Sequence, residues 1–181
     1  MSDGIKVSYD EALDWATRIR NYLEKHFDRL EIGGSIRRKK AQIGDIELVG
    51  IIKPTIETDL FDWNKEISSI ESVPQWMDLL HYKPKKMGTK YMQFTAYYNL
   101  NVDLFLCTPE TWGCIFTIRT GSSDFTRRLV TKKSKGGLCP DNMQFSDGRL
   151  WRDNIVLDTP EESDVFRELG IEFISPEERI K

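Results

Sequence analysis

Residues 33–52 read Gly-Gly-Ser-Ile-Arg-Arg-Lys-Lys-Ala-Gln-Ile-Gly-Asp-Ile-Glu-Leu-Val-Gly-Ile-Ile. The last eight, Asp45 to Ile52, alternate at first and then turn apolar. That is the pattern of a strand wet at one end and buried at the other, and Pro54 stops it. Positions i and i+2 of a strand share a face, so the Asp45 and Glu47 carboxylates project together. Like charges side by side cost free energy unless cations or hydrogen bonds offset them. A hard divalent cation such as Mg²⁺ takes oxygen ligands of this kind together with substrate phosphates. The pair alone is a weak signal. With 29 acidic residues in 181, acid-x-acid spacing arises by chance, and a wet strand face also accounts for it. The preceding segment adds weight. Gly33-Gly34-Ser35 is a turn signal whose backbone N–H groups can approach phosphate oxygens. Arg38 follows one helical turn on, and its planar fork suits a phosphate.

Working outward, Ser8 and Glu11 form a capping box ahead of Ala12, Trp15, Ala16, Ile19, Tyr22 and Leu23 at helical spacing, which predicts a helix from about residue 9 to 27. A second helix is expected from about Asp59 to Leu80, interrupted near Pro74. Lys90–Tyr98 and Val102–Cys107 read as strands joined by an Asn99-Leu100-Asn101 turn, pairing as a hairpin beside the Asp45 strand. If so, Asp103 joins Asp45 and Glu47 on one face. Beyond Pro109, Gly, Ser and Asp punctuate the chain. Helices are expected over 124–133, strongly basic, and over 160–169 with Thr159 as N-cap. These elements predict an α+β fold: a mixed sheet with helices over residues 1–109, then a small α/β lobe over 110–181.

The chain has 181 residues, 39% of them hydrophobic and 30% charged, which fits an ordinary globular protein of one domain or two small lobes. The apolar run Leu48–Ile52 is far too short to span a membrane, and the first residues carry no secretory pattern. Three cysteines without a Cys-x-x-Cys suggest neither a disulfide framework nor a zinc site, and the expectation is a reduced, cytoplasmic protein. Net charge is −3, unevenly spread: residues 141–181 hold 11 acidic and 5 basic side chains, and residues 1–140 hold 18 acidic and 21 basic. The bases cluster at 37–40, at 83–90 and at 127–135. Such patches can grip phosphates, or can be ordinary solvated faces.

Gly34-Ser35, nine residues, then Asp45-Ile46-Glu47 resembles the nucleotidyltransferase pattern, and Val102-Asp103-Leu104 resembles its third carboxylate. Gly-Ser-Ile-Arg-Arg followed by Gly-Asp-Ile-Glu is closer still to DNA polymerase family X. Arg119-Thr120-Gly121-Ser122 with Phe125 resembles that family's nucleotide-binding turn. Glu161-Glu162 through Pro176-Glu177-Glu178-Arg179 resembles its C-terminal signature. The resemblance implies a nucleotidyltransferase palm and a C-terminal nucleotide- and DNA-binding lobe, without the family's lyase domain. It implies two Mg²⁺ ions (Mn²⁺ as a substitute) on Asp45, Glu47 and Asp103, with Asp103 helping to take the primer 3′-hydroxyl proton. Gly34, Ser35, Arg38, Gly44, Arg119, Thr120, Gly121, Ser122 and Thr126 would hold a (d)NTP, and Arg127 and Arg128 would face a DNA primer or gapped duplex. It also implies a cis Gly121–Ser122 peptide. A monomer with no membrane contact is expected.

Three positions depart from the family pattern: Glu47 where its polymerases usually have Asp, Ile118-Arg119 in place of an aromatic pair, and Thr126 where an Asn often stands. The expected activity is nucleotide addition to a nucleic-acid 3′ end with release of pyrophosphate. A small-molecule or protein nucleotidyltransferase and a non-catalytic nucleic-acid-binding relic are the alternatives.

Overall fold

A computed structural model describes residues 5–53, 55–59, 62–67, 84–96 and 99–179, with only the backbone over 55–67. The fold is α+β. After a two-residue strand, β1 (Val7–Ser8), helix α1 (Tyr9–Leu23) opens on the expected capping box, Ser8 accepting from the Glu11 N–H and Glu11 from that of Ser8. Ala12, Ala16, Ile19 and Leu23 bury one helix face. The helix is shorter than predicted. Glu24–His26 tightens into a 3-10 turn because Phe27, itself buried, already begins strand β2 (Phe27–Ile32).

Next come α2 (Gly34–Arg37), the short β3 (Gln42–Ile43) and β4 (Asp45–Ile52). Strands β5 (Thr55–Asp59) and β6 (Asp62–Ile67) pair antiparallel, so the start of the expected second helix is a hairpin instead. Thr55, Ile56 and Thr58 supply the β-branched residues that favour pleated pairing over helix. The rest of that expected helix, residues 68–80, lies outside the described residues. The main sheet is completed by β7 (Pro84–Met87), β8 (Tyr91–Thr95) and β9 (Asn101–Cys107). Its order is β2-β4-β9-β8-β7, with only the β4–β9 pair parallel. The hairpin stands beside β4 as predicted. The β8 strand ends at Thr95 rather than Tyr98, and residues 97–98 lie outside the described residues. One sheet face, with Ile46, Leu48, Met92, Phe94, Val102 and Leu104, packs in one apolar cluster with α1.

The second half opens with α3 (Trp112–Thr120), which the sequence reading did not foresee. Trp112, Gly113, Cys114, Phe116, Thr117 and Thr120 are buried around much of its circumference, so it carries no one-sided apolar stripe. Gly113 allows a close approach: a Cβ there would stand 2.2 Å from the Thr159 carbonyl oxygen. Helix α4 (Ser123–Val130), the meander β10 (Met143–Ser146), β11 (Arg149–Arg152) and β12 (Ile155–Val156), and α5 (Glu162–Leu169) follow. Asp147-Gly148 and Asp153-Asn154 turn the meander with positive φ at both residues of each turn, the hairpin type that matches strand twist. The cap of α5 is Glu161 with Asp164, not Thr159. Thr159 is buried, its hydroxyl against the Cys114 sulfur, two residues too early to reach the helix's first free N–H groups. Buried residues from Cys114 to Leu169 form a second cluster, and Val49, Phe105, Trp112 and Phe116 form a third where α3 meets the sheet.

Candidate active site

The parallel register of β4 and β9 sets Glu47 opposite Asp103 and Asp45 opposite Asn101. Cross-strand partners share a face, so all three carboxylates stand on the side of the sheet away from α1. The row extends further: Asp103 pairs with Gln93, and Gln93 with Lys86. At its other end the Gly33 N–H donates to the Glu47 carbonyl at 2.8 Å. Asp103 Oδ1 accepts from the Tyr91 hydroxyl at 2.6 Å and from Gln93 Nε2 at 2.8 Å. Burial, then that hydrogen bond, pushes the Tyr91 hydroxyl pKa up to about 12.

Asp45 and Glu47 are electrostatically uncomfortable. Burial, then Asp103, raises the Asp45 pKa, against the opposing pull of Arg38. Burial, then Asp45, raises Glu47 to about 7, and Arg38 and Arg119 offset only part of it. The Glu47 carboxylate lies against Gly34, where φ is +58° and a Cβ would fall 1.7 Å from Oε2. No side chain but hydrogen fits that turn. Among the described residues, no three His, Cys, Asp or Glu side chains stand close enough to share one metal ion: Asp103 is tied to β8 and Glu47 is folded under Gly34. The donor set itself suits a hard divalent cation, being all oxygen, anionic and short of neutralising charge. The Ser35 hydroxyl is buried without a partner at the same turn.

The other predicted residues fall in two groups. Arg38 Nη1 donates to the carbonyls of Thr120 and Gly121, joining the Gly-Ser turn directly to the Thr-Gly-Ser turn. Burial lowers its pKa, with Glu47 and Asp45 opposing. Thr120 is wholly buried and accepts from Arg37, Ser122 caps α4 by accepting from the Phe125 N–H, and the Thr126 hydroxyl donates to the Ile118 carbonyl. Gly121 is crowded, since a Cβ would come within 2.5 Å of the Phe125 ring. The Gly121–Ser122 peptide is trans, contrary to the sequence expectation: among the described residues there is no cis bond, and both residues are extended. Arg119 and Gly44 face open space. The Arg119 guanidinium lies 3.9 Å over the Phe105 ring, which stacks on Tyr91 with ring centroids 5.1 Å apart. Nothing lies within 4 Å of a Cβ placed at Gly44. Arg127 and Arg128 are exposed, and Arg127 pairs with Asp124 on its own helix. A cleft of about 1090 Å³ runs from Glu47 and Asp103, over Phe105 and Arg119, to Arg149.

Sequence reasoning missed the supports. Tyr91 and Gln93 are two apart on β8 and opposite β9, so their parity with Asp103 was the available signal. It also missed the hub at Glu162. Arg37 grips that carboxylate with both Nη atoms at 2.9 and 2.8 Å, and Arg179 Nη1 reaches it at 2.6 Å. Arg179 is fully buried among Phe125, Phe166 and Phe173. Burial alone would raise the Glu162 carboxyl, but the hydrogen bonds from Arg37 and Arg179 more than reverse this and hold it below its ordinary value. The tail signature is therefore a fastener between α2 and the second cluster.

Residues 116–180 match the family model of the DNA polymerase beta thumb. The match covers about a third of the chain and supports a relationship to the polymerase-beta-like proteins of family X. No curated protein matches the chain. No helix among the described residues is long and apolar enough to cross a membrane.

Proposed function

We propose that the protein is a metal-dependent nucleotidyltransferase, a small repair-type DNA polymerase that transfers a nucleotide from a (d)NTP to a DNA 3′ end and releases pyrophosphate. One observation carries this reading: Asp45, Glu47 and Asp103 share a face of the sheet, and Arg38, whose charge acts on Asp45 and Glu47, bonds the Thr120 and Gly121 carbonyls of a segment similar to a polymerase thumb. Residues 1–109 then serve as the palm and 110–181 as the nucleotide- and DNA-binding lobe. Asp45, Glu47 and Asp103 would hold Mg²⁺, or Mn²⁺ in its place. When bound, the cations neutralise phosphate charge at the reacting centre. The Gly34-Ser35 turn offers its backbone and the unpartnered Ser35 hydroxyl to the triphosphate. Tyr91 and Gln93 fix Asp103 by Oδ1, leaving Oδ2 for the proton of the attacking 3′-hydroxyl. The primer oxygen bonds to the α-phosphorus as the bond to pyrophosphate breaks. Catalysis is mostly positioning and charge neutralisation. The three cysteines are free, which supports a reducing, cytoplasmic setting.

The test is a labelled primer, presented alone, on a template and in a gap, with each dNTP and Mg²⁺ or Mn²⁺. Extension by at least one nucleotide is expected on template or gap. No extension under any condition removes the polymerase reading.

A further inference from the structure

The loop that leaves α4 closes on itself. Lys132 and Cys139 stand opposite each other in an isolated β-bridge. The Lys133 N–H donates to the Cys139 carbonyl at 2.6 Å, the Cys139 N–H to the Thr131 carbonyl at 2.9 Å, and the Leu138 N–H to the Arg128 carbonyl at 2.8 Å. From these paired positions the two side chains converge on one atom, the Met143 carbonyl oxygen. Cys139 Sγ donates to it at 3.1 Å, and Lys132 Nζ donates to it and, at 3.2 Å, to the Asp141 carbonyl. The other contact of the thiol is the Pro140 carbonyl at 3.6 Å. Both bonds of the ammonium go to carbonyls rather than to a carboxylate. Cys139 is buried and Lys132 half-buried, so a nucleophilic sulfur and a primary amine are held side by side. Burial pushes the Cys139 thiol up, and the charge of Lys132 pulls it back. The other two cysteines have different company: Cys107 Sγ donates to the Gly50 carbonyl at 3.5 Å, and Cys114 Sγ lies 3.4 Å from the Thr159 hydroxyl. All three are free thiols.

We infer that Cys139 and Lys132 are an oxidative modification site, joined by a sulfur–nitrogen bond when the protein meets hydrogen peroxide. The inference stands apart from the polymerase reading. In the first step the Cys139 sulfur attacks one peroxide oxygen and the O–O bond breaks. The sulfur gives up two electrons and becomes a sulfenic acid, and the second oxygen leaves as water with the thiol proton. In the second step the Lys132 ammonium loses a proton to solvent and its amine attacks the sulfenic sulfur. The S–N bond forms as the S–O bond breaks, and the departing hydroxide takes a second amine proton and leaves as water. Thiol, ammonium and peroxide thus give a sulfenamide, two waters and one proton. Sulfenic acids condense with nitrogen in this way, and an amine already held at the same acceptor makes the second step intramolecular. Two equivalents of a free thiol reverse it, restoring Cys139 and Lys132 and leaving a disulfide of the added thiol. The cross-link closes the loop over 132–139, removes the Lys132 charge and ties the exit of α4 to the turn before β10.

The experiment is intact-mass and peptide mass spectrometry of the reduced full chain titrated with hydrogen peroxide. The folded wild type should lose the mass of two hydrogens, and added dithiothreitol should restore the starting mass. Digestion with trypsin in the absence of reductant should yield residues 129–133 joined to 136–149, with no cleavage after Lys132. Lys132→Arg keeps the charge and the donors but has no primary amine, so its linked fraction should fall by about tenfold or more. Its Cys139 should instead be trapped by dimedone as the sulfenic acid. Lys133→Arg and the Cys107→Ser/Cys114→Ser variant should still form the link. Protein unfolded in urea should not, because the pairing is set by the fold. Three results overturn the inference: a wild type that keeps its reduced mass, a Cys139 that only gains oxygen, or a linked product that retains an extra oxygen atom. A link that forms equally in urea, or equally in Lys132→Arg, overturns it as well.

Discussion

Glu47, half-buried, and Glu162, buried, are both glutamates set between elements, yet their surroundings are opposite. Glu162, 5% exposed, receives three hydrogen bonds from two arginines and is held ionised. Glu47 stands beside Asp45, and burial with that neighbour pushes it up to about 7. A protein selected only for stability would not keep the second arrangement, because like charges in a poorly solvated place disfavour ionisation. The contrast separates a carboxylate neutralised by two arginines from carboxylates that crowd one another with little neutralising charge. Strain of this kind concentrates where chemistry is done.

The largest effect should come from breaking the uncomfortable side. Asp45→Ala or Asp103→Ala should reduce nucleotide addition by about a thousandfold or more, a barrier increase of roughly 4 kcal/mol. The metal-free thermal midpoint of Asp45→Ala should stay level or rise, because one of several repelling charges is gone, whereas Asp103→Ala also gives up the hydrogen bonds from Tyr91 and Gln93 and should gain less. Falling midpoints in both variants would make these acids structural and erase the contrast. On the comfortable side the outcome reverses. Glu162→Ala leaves Arg37 and the fully buried Arg179 without their carboxylate, and breaking a buried ion pair costs about 3–5 kcal/mol. Urea unfolding measures this. A loss under about 1 kcal/mol would mean that the lobes are held by the apolar contacts of Trp112 and Phe116 instead.

The pH dependence should carry opposite signs for the two glutamates. The folded pKa of Glu162 is below its unfolded value. It therefore contributes stability above the ordinary carboxylate value, and that contribution is lost as pH falls through the folded pKa. Glu162→Gln should flatten the acid limb of a stability–pH curve. Glu47 is raised, so in metal-free protein its contribution is present below about 4.5 and is lost as pH rises to about 7. Glu47→Gln should lift stability near pH 8 relative to pH 5. Identical acid limbs for wild type and Glu162→Gln would show that the arginines do not hold that charge.

Much of the sheet was legible because one face of it is buried. Alternation along Asp45–Ile52 and the short turn at Asn99 fixed the strands, their neighbours and the common face of three acids. Helix α3 was not legible: its circumference is largely buried, and a helix without a wet face loses its period. The helix expected from about Asp59 overlaps the second strand of a hairpin, Asp62–Ile67, whose mixed polar and apolar residues carry no clear period. The charges show the limit most clearly. Arg37-Arg38-Lys39-Lys40 and Lys85-Lys86 look alike as strings. Yet Arg37, Arg38 and Lys39 are taken up by Glu162, by the Thr120 and Gly121 carbonyls and by Glu177, and Lys86 is not. The partners lie 82 or more residues away in sequence, beyond any local pattern.

The smallest effect is expected at Arg119. The family resemblance implies a place for it beside a nucleotide, and the structure shows its guanidinium exposed and stacked on Phe105 within the cleft lined by Glu47 and Asp103. It also draws the Glu47 pKa down, though it ranks last among the charges acting there. An exposed cation–π stack is worth roughly 0.5–1 kcal/mol, well below a buried charge-assisted hydrogen bond. Arg119→Ala should accordingly lower kcat/KM for dNTP by only about two- to fivefold, with the loss in KM. Arg119→Lys should fall between, since an ammonium lacks the planar stack. The same measurement with NTP decides whether the arginine discriminates between sugars: an equal loss for both assigns it to phosphate attraction, and a loss confined to one assigns it to the sugar. A drop of a hundredfold would place Arg119 among the groups that contact the reacting phosphates and move it to the Glu47 side of the comparison.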